Sequence, residues 1–154
     1  MARVREGNPV ARFYQVAASS PESVMITLLH KLFDQGLRVC LLAGDGAQAR
    51  RLDDLLWRHP PERFLPHGMW DGADVERQPV LIALTPDDRN GATVVLSTSP
   101  RVVPDAERFD VVVDFVVAAD PAPARERYRH YQAAGLAMEY WIQSPEGRWT
   151  RHGA

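Results

Sequence analysis

Short apolar runs alternate along this chain with longer stretches whose apolar residues recur at helical spacing, a pattern that predicts strands alternating with helices. Residues 1–11, broken by Gly7 and Pro9, read as a flexible leader, and Arg12–Ala17 as the first strand. Ser20-Pro21-Glu22 then starts a helix, with Ser20 as its cap and Pro21 at the first helical position. Val24, Leu28, Leu29 and Leu32 supply its apolar stripe, and Gly36 ends it. The nearly continuous apolar run Arg38–Ala43 suits a central strand covered on both faces. A Gly44-Asp45-Gly46 turn leads into a second helix, Ala47–Arg58, with Leu52, Leu55 and Leu56 on one face and Pro60-Pro61 as its stop.

In the second half, Arg63–His67 is a short strand or extended segment and Gly68–Arg77 a loop. Val80–Leu84 and Thr93–Ser97 are further strands, separated by turn-rich residues in which Asn90-Gly91 is a tight-turn pair. Phe109–Val116 is another strand, Asp120-Pro121 opens a helix, and Gly135 closes it. Met138–Gln143 and Arg148–Thr150 form a terminal hairpin around Ser144–Gly147. The expected class is α/β: a three-layer Rossmann-like domain with a mostly parallel, mixed sheet. With 154 residues and 45% hydrophobic content, the chain has enough material for one core and too little for two. Residues 12–154 are therefore expected to form a single domain, with 142–154 as a hairpin extension.

Composition removes several kinds of chemistry. Lys31 is the only lysine and sits inside the first helix, which argues against a P-loop and against a Schiff-base enzyme. Cys40 is the only cysteine, so no disulfide can form within the chain, and its apolar strand disfavours a thiolate nucleophile. The histidines His30, His59, His67, His130 and His152 lack metal-ligand spacing, and the carboxylate pairs Asp53-Asp54 and Asp87-Asp88 read as solvated charge. No Gly-x-Ser-x-Gly elbow occurs. The Gly44–Gly46 turn leaves open one alternative, a nucleotide-binding enzyme, although Gln48 and Ala49 stand where a third glycine is wanted and Asp45 would repel phosphate. The leading expectation is no catalytic residue, no cofactor and no metal. No apolar run approaches a membrane span, and a cytoplasmic, soluble chain is expected.

The net charge of −2 does not support nucleic-acid binding by bulk charge, so any anion site must be local. The helix around Arg125 supplies one. At 100° per residue, Ala124, Tyr128 and Tyr131 share a face while Arg125, Arg129 and Gln132 form a stripe on its flank. The tyrosines can anchor the helix and leave arginines available for an acidic ligand. Trp57, Phe64, Pro66 and His67 gather around a helix end and an extended segment, a composition that suits a partner-binding surface.

Four blocks in order, Phe13-Tyr14, Ala49–Trp57, Phe64–His67, and Val112–Phe115 followed by Arg125–Tyr131 with Gly135, resemble the chi subunit of bacterial DNA polymerase III holoenzyme. The likeness runs from about Arg12 to Trp141. It implies a noncatalytic accessory subunit that links the clamp loader, through a psi subunit or an equivalent partner, to the acidic C-terminal tail of single-stranded-DNA-binding protein, with DNA met mainly indirectly. It also implies roles for residues here: Arg125 at the tail's terminal carboxylate, Arg129 one turn on, and Trp57, Phe64 and Pro66 toward the psi-type partner. Two departures stand out. Pro121 occupies a helix start where relatives can carry another basic residue, and Ile142–Ala154 runs past the shorter family end.

Overall fold

A computed structural model describes residues 7–58, 63–117, 119 and 121–153, and in it the two periodicities resolve into strands and helices at almost every expected place. In chain order these are β1 (Val10–Val16), α1 (Pro21–Asp34), β2 (Val39–Leu42), α2 (Gly46–Arg58), β3 (His67–Met69), β4 (Val80–Ala83), β5 (Val94–Ser97), β6 (Val111–Val117), α3 (Ala122–Ala133), β7 (Ala137–Gln143) and β8 (Trp149–His152). Single 3-10 turns occur at Val75–Arg77 and Ala106–Arg108.

Local chemistry explains the helix ends. The Ser20 hydroxyl accepts from the Ser23 N–H at 3.1 Å, satisfying one of the donors that the first turn of α1 leaves without a partner. At the other end, Gly36 takes φ of +76°, which lets the Gly36 N–H reach Phe33 O and the Leu37 N–H reach Leu32 O, both at 3.0 Å. Pro60-Pro61 and Asp120 lie outside the described residues; α2 is described to Arg58, and α3 begins at Ala122 with Pro121 as its cap.

All the strands join one sheet in the order β3-β4-β2-β5-β6-β1-β7-β8. Every neighbouring pair is parallel except β7 with β8, so the sheet is mostly parallel with one antiparallel edge. β2 is interior and fully buried, as its unbroken apolar run requires. One face is covered by Met25 and Leu29 of α1 and by Ala49, Leu52 and Leu56 of α2. On the other, α3 contributes Ala124 and Tyr131, and the links β4–β5 and β5–β6 contribute Ala92, Ala106 and Phe109. Among the described residues, the third layer is thus one helix and two irregular links.

The structure sharpens the sequence expectation in several places. β1 starts at Val10, two residues early, because Val10 pairs with both Val111 and Ala137. Of the two alternatives for Arg63–His67, the extended segment is the one found up to His67, and a short strand follows at His67–Met69, partly inside the expected loop. There Gly68 packs so closely that a Cβ would stand 2.8 Å from the Gln78 side chain. The structure also settles what the sequence left open: β4 and β5 do not pair with each other but both flank β2. The Asn90-Gly91 turn therefore serves a crossover. Buried Asn90 pins it, donating to Gln78 O at 2.9 Å and Val39 O at 3.2 Å while accepting from the Ala92 N–H at 3.1 Å.

Candidate functional site

α3 carries its arginines on two different faces. Ala124, Arg127 and Tyr131, spaced at i, i+3 and i+7, are buried against the sheet, whereas Arg125 and Arg129 are exposed. Tyr131 is fully buried, its hydroxyl accepts from the Val103 N–H at 2.8 Å, and burial pushes its phenol up to about 12. Tyr128 is half-buried and packs on Phe13 and Tyr140, with ring centroids 5.4 and 6.2 Å away. Both tyrosines anchor the helix, as their positions on the helical wheel require.

Arg127 is the arginine that wheel reasoning passed over. Its Nε and Nη2 donate to the two carboxylate oxygens of buried Asp114 on β6 at 2.8 and 2.9 Å, and Nη1 donates to Pro100 O at 3.0 Å. Burial works against charge on Arg127, but the Asp114 hydrogen bonds and charge outweigh it and hold the guanidinium above its ordinary value. This pair ties α3 to β6. A lone aspartate in the apolar run Val111–Val117, together with an arginine on the apolar side of α3, was the available signal.

Arg125 and Arg129 stand over a groove of about 450 Å³ at the β7–β8 end of the sheet. Gln15, Tyr140 and Ile142 form its sheet side, and Tyr128 and Ala124 continue the helix side. His152 of β8 lines it as well. The Tyr140 hydroxyl donates to Gln15 Oε1 at 2.7 Å, and burial raises the Tyr140 phenol while the positive charge of Arg125 pulls it down. Among the described residues neither Arg125 nor Arg129 has an ion-pair partner, so the groove presents positive charge above an apolar and aromatic floor. Sequence reasoning identified the two arginines; it did not identify Gln15, Tyr140, Ile142 or His152, which arrive from other strands.

The second expected cluster forms at the opposite end. Phe64-Leu65-Pro66-His67 is extended, so Leu65 and His67 turn inward while Phe64 and Pro66 turn out. Trp57, in the last turn of α2, is 61% exposed and Phe64 is 55% exposed, with ring centroids 5.0 Å apart. Buried His67 supports both rings from below, at 5.0 Å from Trp57 and 6.0 Å from Phe64. Its ring is held by Leu65 O, 2.8 Å from Nδ1, while Nε2 faces Asp53 Oδ1 at 3.2 Å without hydrogen-bond geometry. Two large aromatics are thereby held exposed side by side.

Side chains of its own neighbours occupy part of the Gly44 turn. The Gly44 N–H donates to Gln48 Oε1 at 2.5 Å, the Gln48 N–H donates to Asp45 Oδ1 at 2.8 Å, and Gln48 and Pro100 fill the space beside the turn. Two of the turn's N–H groups are thus taken and a carboxylate stands at the helix start, which disfavours a phosphate there. A cleft of about 690 Å³ does open between α1, α2 and the carboxyl ends of β5 and β6, but Arg127 and Gln48, which reach it, are occupied by the bonds already described. Cys40 is fully buried, and burial pushes its thiol up to about 12, which removes it as a nucleophile. Among the described residues no group of three or more histidine, cysteine or acidic side chains is placed to hold a metal, and no helix is long and apolar enough to cross a membrane.

The family model for the DNA polymerase III chi subunit, HolC, matches residues 9–139, from the start of β1 into β7. The chain belongs to the DNA polymerase III chi subunit family. Curated relatives agree. The DNA polymerase III subunit chi of Escherichia coli is 34% identical over 124 residues, covering 78% of this chain and 84% of that protein. Those of Pseudomonas aeruginosa and Haemophilus influenzae are 29% and 26% identical, covering 82% and 88% of this chain and 92% and 95% of theirs. The chi-family match contains α3 with Arg125 and Arg129, and also Trp57, Phe64 and Pro66; it stops short of Tyr140, Ile142 and all of β8.

Proposed function

We propose that this chi-family chain is a noncatalytic, cytoplasmic accessory subunit of the replicative DNA polymerase III holoenzyme, joining the clamp loader to the acidic C-terminal tail of single-stranded-DNA-binding protein. The observation that carries this reading is the separation of two unlike surfaces. One end of the sheet has a positive groove over aromatic rings, and the other has an exposed aromatic pair. In the groove, Arg125 grips the terminal carboxylate of the tail, Arg129 meets acidic side chains, and the space over Tyr140 receives an apolar terminal side chain. At the far end, Trp57 and Phe64, with Pro66 beside them, anchor a psi-type clamp-loader partner.

The reading is tested by titrating a synthetic acidic peptide ending in phenylalanine into the protein by calorimetry. Arg125→Ala is expected to weaken binding by about tenfold or more, the worth of a hydrogen bond to a charged group. Rising salt should weaken the remainder. Equal affinity for wild type and Arg125→Ala removes the assignment of this groove.

A further inference from the structure

The groove is built from two sources that differ in relation to the family. Its helix wall, with Arg125, Tyr128 and Arg129, lies inside the family match, whereas Tyr140, Ile142 and His152 lie beyond residue 139. β8 runs antiparallel to β7, with Tyr140 opposite His152 and Ile142 opposite Thr150. Directly opposed residues share a face of the sheet, so His152 lies on the same side as Tyr140, beneath α3. The hairpin that brings it there is closed by Gly147 at φ +90°, with the Gly147 N–H donating to Ser144 O at 2.9 Å and the Ser144 N–H to Arg148 O at 2.7 Å.

The position of α3 makes this strand matter. Tyr128 and Tyr131 hold the helix over Phe13 of β1, and Tyr128 also packs on Tyr140 of β7. Without β8, β7 would be the edge strand and the floor beneath the arginines would end there. A further strand widens the sheet by about 4.8 Å, roughly the width of an extended peptide backbone. His152 then stands at the outer side of the groove, its ring edge-on to Tyr140 at a centroid distance of 6.2 Å and 71°. An exposed imidazole there offers a ring N–H to a carboxylate lying between it and Arg125 or Arg129.

We infer that the β7–β8 hairpin is part of the acidic-peptide site of this chain, and that His152 is a peptide-contacting residue forming the groove wall opposite Arg125 and Arg129. The inference rests on the acidic-peptide reading of the groove. It adds a binding residue from outside the family-matched region and assigns the hairpin a role in holding the ligand rather than in folding alone.

The test uses full-length protein and a short synthetic peptide, rich in aspartate and ending in phenylalanine, titrated against wild type, Arg125→Ala, His152→Ala and His152→Gln. A fourth variant ends at Gln143, and unfolding midpoints are measured alongside. His152→Ala is expected to bind about 3- to 10-fold more weakly with an unchanged unfolding midpoint, the range for one polar contact to an anion at a groove rim. His152→Gln, which keeps an N–H donor, should recover part of the loss. The chain ending at Gln143 should lose at least as much affinity as His152→Ala. If wild type binds and Arg125→Ala does not, while His152→Ala binds like wild type, the inference is overturned and the groove reading stands. If wild type itself does not bind the peptide, both fall.

Discussion

Arg125 and Arg127 stand two positions apart on α3 and meet opposite environments. Arg127 is 7% exposed and satisfied by Asp114 and Pro100, while Arg125 looks into an open groove. Removing the first leaves a buried carboxylate without its partner, so Arg127→Ala should destabilise the fold by about 3–5 kcal/mol. Arg125→Ala should stay within about 0.5 kcal/mol of wild type. Urea unfolding of the two variants separates them; similar losses would mean that the Asp114 pair does not hold α3 in place. His30 offers a pH test. It is buried on α1, and among the described residues neither ring nitrogen has a hydrogen-bond partner. Burial holds its pKa below the ordinary value of 6.5, Arg63 adds to the shift, and Asp34 opposes it. The unfolded chain therefore takes up a proton at higher pH than the folded one. The stability His30 contributes is fully present above the ordinary value and falls as pH drops through that value toward the lowered one. Thermal unfolding followed from about pH 8 to pH 5 should show this decline, and His30→Leu should flatten it. An equal slope in His30→Leu assigns the proton uptake to other groups.

At the scale of elements, termini were the most legible features because their causes lie within a few residues. Ser20 and Pro21 begin α1, Gly36 ends it, and Gly135 ends α3 by the same geometry: the Leu136 N–H reaches Tyr131 O and the Gly135 N–H reaches Gln132 O, each at 3.1 Å. Gly135 has φ of +91° with nothing within 4 Å of where a Cβ would stand, so substitution meets backbone strain and no clash. Gly135→Ala should cost about 1–2 kcal/mol, and Gly135→Asn less, because asparagine tolerates the left-handed region better. Chemical unfolding of both variants checks the order; a larger loss for Asn would implicate something other than φ. The exposure of Phe64 likewise follows from alternation once Leu65 is taken as the inward residue. The crossover between β4 and β5 was not legible, since Asn90-Gly91 serves equally well in a hairpin and its partners, Val39 and Gln78, lie 51 and 12 residues away.

Across the whole molecule, the strand order sets how the two candidate surfaces relate. From β3, beside Phe64, to β7, beneath α3, the sheet crosses six strand spacings of about 4.8 Å, or roughly 29 Å. Sites that far apart, sharing no side chain, should behave additively. On the proposed reading, Trp57→Ala is expected to abolish capture of a psi-type partner and leave acidic-peptide affinity unchanged, and Arg125→Ala to weaken peptide binding about tenfold or more and leave partner capture intact. A bridging pulldown with both partners should fail with either variant, and a Trp57→Ala protein with altered peptide affinity would point to coupling through the sheet.

The sequence by itself determined the alternation of strands and helices, both ends of α1 and the glycine end of α3, the buried character of β2 and Cys40, and the division of α3 into an anchored face and an arginine flank. These depend on side-chain periodicity and on hydrogen bonds between near neighbours, which a linear chain displays. Only the tertiary structure decided which arginine is neutralised, since Asp114 reaches Arg127 across the β6–α3 connection. It also decided that Gln15, Tyr140 and His152 complete the groove beneath Arg125. Burial and charge pairing are settled by whichever distant segments share a volume, and that depends on the order of strands in the sheet rather than on their order in the chain.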